Sequence, residues 1–290
     1  MNKEDEKFMS DLQRHINAQN FETKEELEKF LDSLIGQDIP TMSKDKLTLK
    51  EQAQDLVFEA YELTPQNGRK KIEIALALDI NCIEAYEYLG IIEQNAIIAN
   101  VFFERGVSIG RKIFGGDFLE KNKGHFWGIH ETRPFMRCMQ QYAECQYTMD
   151  NKKESVAIYE EMIELNPNDN QGVRDQLLLY LIELNEDKKF KKYAKAYEDD
   201  FMAFPLFNRA LFAFKTEGET KNSNKLLEKA LAQNKHVAKR LLLKKQIGEI
   251  AEYYGIGDEN EANYYASYAQ EVWASIEGAL DWLKKHNKDK

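Results

Sequence analysis

The chain is poor in residues that break helices, with 5 prolines and 15 glycines among 290 residues. That scarcity makes long helices easy to build and excludes an all-β meander, which needs a turn residue every few positions. Cysteine is equally sparse: three, an odd number without a CxxC pair, which excludes a disulfide framework. Cys138 and Cys145 stand seven apart on one helical face and read as buried thiols, so a reducing, cytoplasmic setting is expected. No apolar run approaches a membrane span, and the opening MNKEDEKFMS lacks the apolar core of a secretory signal. Positive charge is in deficit too. A net charge of −10 repels phosphate backbones and anionic lipid, so neither nucleic acid nor a membrane is expected as a partner. The lysine run KKFKKYAK (188–195) is the local exception, and with Phe190 and Tyr193 at helical spacing it reads as a solvated helix face.

What the chain does contain is helical periodicity. A hydrophobic content of 43% is ordinary for a folded chain. Residues 1–36 read as an N-terminal extension of two short helices. In the second, Leu27, Phe30, Leu31, Leu34 and Ile35 fall on one face, Thr23 and Glu26 form a capping box, and Gly36 stops the helix. The polar stretch QDIPTMSKDK makes 37–46 a linker.

From residue 47 to 245 the sequence repeats. Ile72 with Ala75-Leu76, Phe103 with Gly106-Val107, Tyr159 with Met162-Ile163, and Leu227 with Ala230-Leu231 place a bulky, a small or flexible and an aliphatic residue in the same order. Ala75 and Gly106 are 31 apart and Met162 and Ala230 are 68 apart, whereas Gly106 to Met162 spans 56, one repeat plus an insertion of 22. A period of about 34 with two helices per unit is that of tetratricopeptide repeats. YEEMIELNPND, closing on Pro167, resembles the second helix of that family, and AYEYLG (85–90) a first helix, with Gly90 expected to let two helix backbones approach. The pattern is weak between 170 and 203, and Ile80 and Lys235 stand where a closing proline is usual. The expected fold is therefore all-α, a superhelix of tetratricopeptide-like helical hairpins with a concave face. Residues 246–290 read as capping helices, with Asp258 and Glu261 as a second capping box and Tyr265, Tyr268, Ala269, Val272 and Trp273 facing the stack.

Three stretches carry a resemblance beyond generic repeats: IEIALALDINCIEAYEYLG, ALAQNKHVAKRLL and GDENEANYYASYAQEVWASIEGALDWL. Their order over residues 50–285 resembles the suppressor-of-tumorigenicity-seven family. GHFWGIHETRPFMR and LNPNDNQG are similar to its soluble bacterial relatives in particular. The resemblance implies a helical repeat protein with no known set of catalytic residues to carry over. The chain lacks the N-terminal hydrophobic segment of the animal members, which argues against a membrane role.

The insertion, around 115–133, contains the chain's most unusual stretch, NKGHFWGIHETRPFMR (122–137). Pro134 suits the first turn of a helix, which is expected to start near Thr132 to Pro134 and run through FMRCMQQYAECQYTM. Phe126, Trp127 and Phe135 are expected to anchor the insertion. His125, Trp127, His130, Arg133 and Arg137 would then offer polar contacts to a ligand on the concave face. There the first helices of each pair would add Gln140, Asn170, Arg174, Asn208 and Arg209 at exposed positions. Arginine and asparagine favour a carboxylate or acidic side chain. The expected activity is thus non-catalytic binding of a protein or peptide, lying as an extended segment in the groove, with no cofactor and no metal. That expectation fails if the groove is filled by the protein's own helices. Two alternatives remain. One is an enzyme or metal-dependent activity centred on His125 and His130 with Glu131, although the histidines are five apart and have no third ligand or nucleophile motif nearby. The other is a self-assembling structural protein with Tyr264, Tyr265 and Trp282 in a subunit interface.

Overall fold

The computed structural model describes every residue except 1, 2, 20, 37, 38, 40, 41, 244–249, 252 and 288–290. Part of the 37–46 linker and the start of the 246–290 cap lie outside the described residues. Among the described residues the chain is helical and contains no strand. It divides into two compact units, 1–170 and 171–290.

The first unit contains α1 (Lys3–Ala18), α2 (Lys24–Ser33), α3 (Leu49–Tyr61), α4 (Pro65–Leu78), α5 (Ile83–Ile92), α6 (Ala96–Ile113), α7 (Asp117–Asn122), α8 (Arg133–Thr148) and α9 (Lys152–Leu165). From α3 onward the long helices pack in consecutive pairs, α3 with α4, α5 with α6 and α8 with α9, and α5 also touches α3 and α8. The repeated bulky-small-aliphatic motif falls each time on the second helix of a pair, where Ile72, Ala75, Phe103, Val107, Tyr159 and Met162 are buried. Glycine sets how closely the pairs approach. A Cβ on Gly110 would lie 2.1 Å from the ring of Phe135, and one on Gly106 would lie 2.6 Å from Cys138 Sγ, so α8 fits only against a bare α6 backbone. Gly90 corrects the expectation placed on it: a Cβ there would meet the Phe103 ring at 2.4 Å, so it makes room for a side chain rather than a second backbone.

Helix ends follow local chemistry. Thr48 and Glu51 form a full capping box at α3, the Thr48 hydroxyl accepting from the Glu51 amide and the Glu51 carboxylate accepting from the Thr48 amide at 2.8 Å. At α2 Thr23 accepts from the Glu26 amide, but the Glu26 carboxylate turns to the amide of Glu22 at 2.9 Å, one residue before the expected partner. Gly36 takes the left-handed conformation expected of a helix stop.

The second unit contains α10 (Arg174–Glu183), α11 (Asp187–Ala196), α12 (Ala203–Glu217), α13 (Lys221–Gln233), α14 (His236–Leu241), α15 (Glu259–Ser275) and α16 (Ala279–His286). The stretch where the repeat pattern is weakest, 170–203, nevertheless forms the pair α10 and α11. The reason is burial on all sides: every residue from Gln176 to Ile182 is buried, so α10 has no polar face from which a period could be read. On α11 Phe190 and Tyr193 are buried while Lys191 and Lys192 are exposed, as the sequence pattern predicts. On α15 Tyr265, Ala269, Val272 and Trp273 are buried. The Trp273 indole donates to the Tyr265 hydroxyl at 2.8 Å, which donates to Asn208 at 3.1 Å. Tyr265 and Trp282 are interior residues of this unit and are not available to a subunit interface.

Among the described residues, no helix is long and apolar enough to cross a membrane.

Candidate functional site: a charged helix-docking face

Burial of apolar surface explains most of the first unit, but not α1. The buried residues of α1 are Glu6 and Arg14, each only 6% exposed, while its Phe8 and Met9 are 49% and 40% exposed. Charges pass into low dielectric only when paired, so the partners of Glu6 and Arg14 define the site.

Glu6 accepts from Arg137 Nη1 of α8 at 2.6 Å. The other edge of that guanidinium binds α5, with Nε 2.6 Å from Glu87 Oε1, and Nη2 2.8 Å from Glu87 Oε2 and 3.1 Å from Glu84 Oε1. The Glu87 contact is the two-pronged geometry that makes arginine–carboxylate pairs strong. Lys3 of α1 reaches Glu84 and Glu6 and lies over the Tyr61 ring, and Gln54 of α3 donates to Glu84. One turn of α5 thus presents two carboxylates, 3% and 2% exposed, to cations from α1 and α8. Two turns farther along α1, Arg14 Nη1 binds Asp55 of α3 at 2.7 Å and Asp11 at 3.0 Å, and its Nη2 donates to the Glu51 carbonyl at 3.1 Å.

Electrostatics follow this geometry. Burial raises the Glu84 carboxyl, but Lys3 and Arg137 overcome that and hold it below its ordinary pKa. Burial wins at Glu87, which stays above its ordinary value even though Arg137 and Lys3 oppose it. Burial works against the charge of Arg137, but Glu87, Glu84 and Glu6 together hold it more firmly protonated than a free guanidinium. Three carboxylates against two cations leave one excess negative charge, which matches the raised Glu87. Asp55 is likewise raised by burial, with Arg14 opposing.

A cavity of about 290 Å³ lies beneath α1, lined by Arg14, Gln54, Phe58, Ile83, Phe114 and His130 among others. His130 borders this cavity; His125 does not, and is exposed. Burial pushes His130 below its ordinary pKa, so its ring is neutral at pH 7.

The stretch leading into α8 meets the expectation in where the helix starts and in two of its three expected anchors, Phe126 and Phe135. After α7, two single-turn 3-10 helices at Phe126–Gly128 and His130–Thr132 lead into α8 at Arg133, with Pro134 in its first turn. Phe126 and Phe135 are buried against Phe114 and Phe118, with ring centroids 5.2–6.4 Å apart. Trp127 is only half-buried. It is held by Arg133, which donates to its carbonyl at 3.0 Å and lies 5.5 Å from its ring centroid.

Comparison with protein-family models, curated proteins and solved structures returns no match. The site is therefore read from its own chemistry.

Of the expected binding residues, the first unit places Arg137 at the centre of the charged face and His130 at the cavity wall, with Arg133 and Trp127 beside them in sequence and packed on each other. Asn170 is exposed at the end of that unit. The second unit contains Arg174, Asn208 and Arg209. Arg174 binds Asp200 through Nε at 2.9 Å and Nη2 at 2.7 Å, and its guanidinium lies 5.3 Å from the Tyr197 ring centroid. Arg209 donates to the carbonyls of Tyr197, Ala194 and Asp200, satisfying backbone groups at the end of α11. Asn208 corrects an expectation: it is fully buried, bonded to Tyr265 and to the Asp175 carbonyl, because the residues of α12 from Ala203 to Asn208 are all interior. Sequence reasoning missed Glu6, Arg14, Asp55, Glu84 and Glu87. The one available signal was the pair Glu84 and Glu87, a turn apart in an otherwise apolar helix.

Proposed function

We propose that the chain is a non-catalytic binder of a protein or peptide segment, and that the segment it takes is a helix. The observation that carries this reading is that the face built from α3, α5 and α8 already holds a helix, α1, by charged contacts at its centre. We read the consecutive helix pairs as tetratricopeptide-like units, with α3, α5 and α8 as the first helices whose shared side is the concave face of a short superhelix. The segments that resemble the suppressor-of-tumorigenicity-seven family support the same reading, since that family is built of helical repeats.

The extended peptide in an open groove gives way to a different occupant, because α1 lies where the groove was expected. The mechanism is preorganisation. Glu84 and Glu87 fix the guanidinium of Arg137 so that Nη1 points at an incoming carboxylate, while Glu84 and Asp55 wait for cations on either side. Fixing these groups before binding lowers the ordering cost that the complex must overcome.

The test uses the full chain with Glu6→Arg, which sets a second cation against Arg137 and repels the resident helix. A fluorescein-labelled peptide of residues 3–18 is expected to bind this variant saturably in fluorescence anisotropy, and about tenfold more weakly to the wild-type chain, whose face is occupied. Circular dichroism checks that the variant keeps its helix content. No saturable binding to a folded variant would overturn the proposal.

A further inference from the structure

A helix kept permanently in place buries its apolar stripe; α1 fully buries no apolar residue, only Glu6 and Arg14. The side it turns inward is polar: Lys3, Glu6, Ser10 and Arg14 recur at i, i+3, i+7 and i+11, and Ser10, Gln13 and Asn17 line the cavity beneath it. Of its large apolar residues, Phe8 and Met9 face solvent and Leu12 and Ile16 are only half-buried. Docking therefore rests on ion pairs, whose attraction is largely offset by the cost of taking both charges out of water. Nor does α1 fill the space it covers, since the cavity lies under it.

A second feature is independent of these contacts. Between Arg14 and Leu47 no described residue is buried, and α2, which lies in that stretch, buries nothing. The 32 residues between those two positions connect α1 to α3, and none of the described ones is buried. A weakly held helix on a long tether is kept in place by its high local concentration rather than by strong contacts.

We infer that α1 is a tethered, exchangeable occupant of the α3–α5–α8 face, an internal competitor for a partner helix that carries a basic, an acidic and a basic residue at i, i+3 and i+11. This rests on the proposed binding function and adds its regulation and the chemistry of its partner. Lys3, Glu6 and Arg14 give the register: a cation for Glu84, a carboxylate for Arg137, and a guanidinium for Asp55. A partner with that stripe replaces the contacts of α1 one for one. One whose acidic residue is missing leaves Arg137 with an unmet donor.

Native-state hydrogen exchange of the wild-type full chain tests this, with residues 3–18, α5 and α8 followed separately across a series of low urea concentrations. The expected result is that α1 amides exchange at least about tenfold faster than those of α5 and α8, with almost no dependence on urea, the signature of local opening. A hundredfold excess of the 3–18 peptide should accelerate α1 exchange, whereas the same peptide with Glu6→Gln should not. Three results overturn the inference. If α1, α5 and α8 share one exchange rate and one urea slope, α1 is a fixed part of the unit. If α1 opens locally but the peptide does not accelerate it, α1 is labile and the face binds no helix in trans, so the proposed function fails with it. If α1 protection rises with protein concentration, the face belongs to α1 of a second copy. Saturable peptide binding by the Glu6→Arg chain alongside a fixed α1 in the wild type would leave the binding function standing without the competitor.

Discussion

Replacing Arg137 with alanine is expected to destabilise the chain by about 3–5 kcal/mol, because it removes one of the two cations from a buried cluster and leaves its three carboxylates behind. Arg137 meets Glu6, Glu84 and Glu87 at 2.6–3.1 Å, whereas Lys3 also reaches all three but lies 3.2 Å from Glu6 and 3.9 Å from Glu87. Without it, Glu84 and Glu87 remain almost fully buried and face each other's charge, with Lys3 alone to oppose it. The sign of the pH dependence follows. Glu84 has its folded pKa lowered, so its contribution to stability is present above its unfolded value and is lost as pH falls. Glu87 has its folded pKa raised, so its contribution is present at low pH and is lost as pH rises through the folded value. Removing Arg137 raises both, so the penalty should be largest near pH 7 and should shrink toward about pH 4, where both carboxyls take up protons. Urea unfolding followed by circular dichroism at the two pH values measures this. Adding Glu87→Gln to the variant should recover part of the loss at pH 7. A penalty under about 1 kcal/mol, or one that grows on acidification, would show that the cluster is not the buried, mutually dependent arrangement described.

Glu261→Ala is expected to cost about 3–5 kcal/mol in the second unit, for the opposite reason: it strands donors rather than acceptors. The Glu261 carboxylate is 2% exposed and accepts from the amides of Ala203 at 2.9 Å and Gly257 at 2.7 Å. It also accepts from Asn234 at 2.9 Å and from Gln233 at 3.2 Å. It therefore joins α12, the end of α13 and the start of α15 at one point. Buried donors left without acceptors cost about 1–3 kcal/mol each, and alanine supplies none. Glu261→Gln keeps one accepting oxygen but turns an NH2 group toward donors, so about 1–3 kcal/mol is expected. Trp273 and Trp282 belong to this unit, so their fluorescence reports its denaturation. An alanine variant no less stable than the glutamine variant would contradict the account. Glu261 was expected to close a capping box with Asp258. Only half of that box forms, the Glu261 amide donating to Asp258 at 2.7 Å, because its carboxylate is engaged elsewhere.

What was legible in the sequence is what local chemistry determines. The start of α8 beside Pro134, the left-handed Gly36 and the helical face of KKFKKYAK all depend on residues within a few positions of one another, while Phe126 and Phe135 could be named as anchors by their size alone. The pair α10 and α11 was hard to see because its first helix has no polar side. The orientation of α1 was hidden for a different reason. Hydrophobic periodicity would turn Phe8, Met9, Leu12 and Ile16 inward, yet Phe8 and Met9 are exposed and Leu12 and Ile16 only half-buried, because the face that receives α1 is charged and its partners sit far away in sequence. Glu6 and Arg137 are separated by 131 positions, and no local pattern ties them together. Arg137 could be singled out as a ligand-facing arginine; that its carboxylate would come from the chain's own first helix could not.

The central claim is that the α3–α5–α8 face recognises a helix by the register of its charges, and a charge exchange tests it most directly. Asp55→Arg in the full chain sets a cation against Arg14 and so repels the chain's own α1. The account predicts that the 3–18 peptide carrying Arg14→Asp binds this variant in fluorescence anisotropy at least about tenfold more tightly than the unaltered peptide, because the ion pair is remade with its signs reversed. Equal binding of both peptides, or binding of neither to a variant with intact helix content, would contradict recognition by charge register.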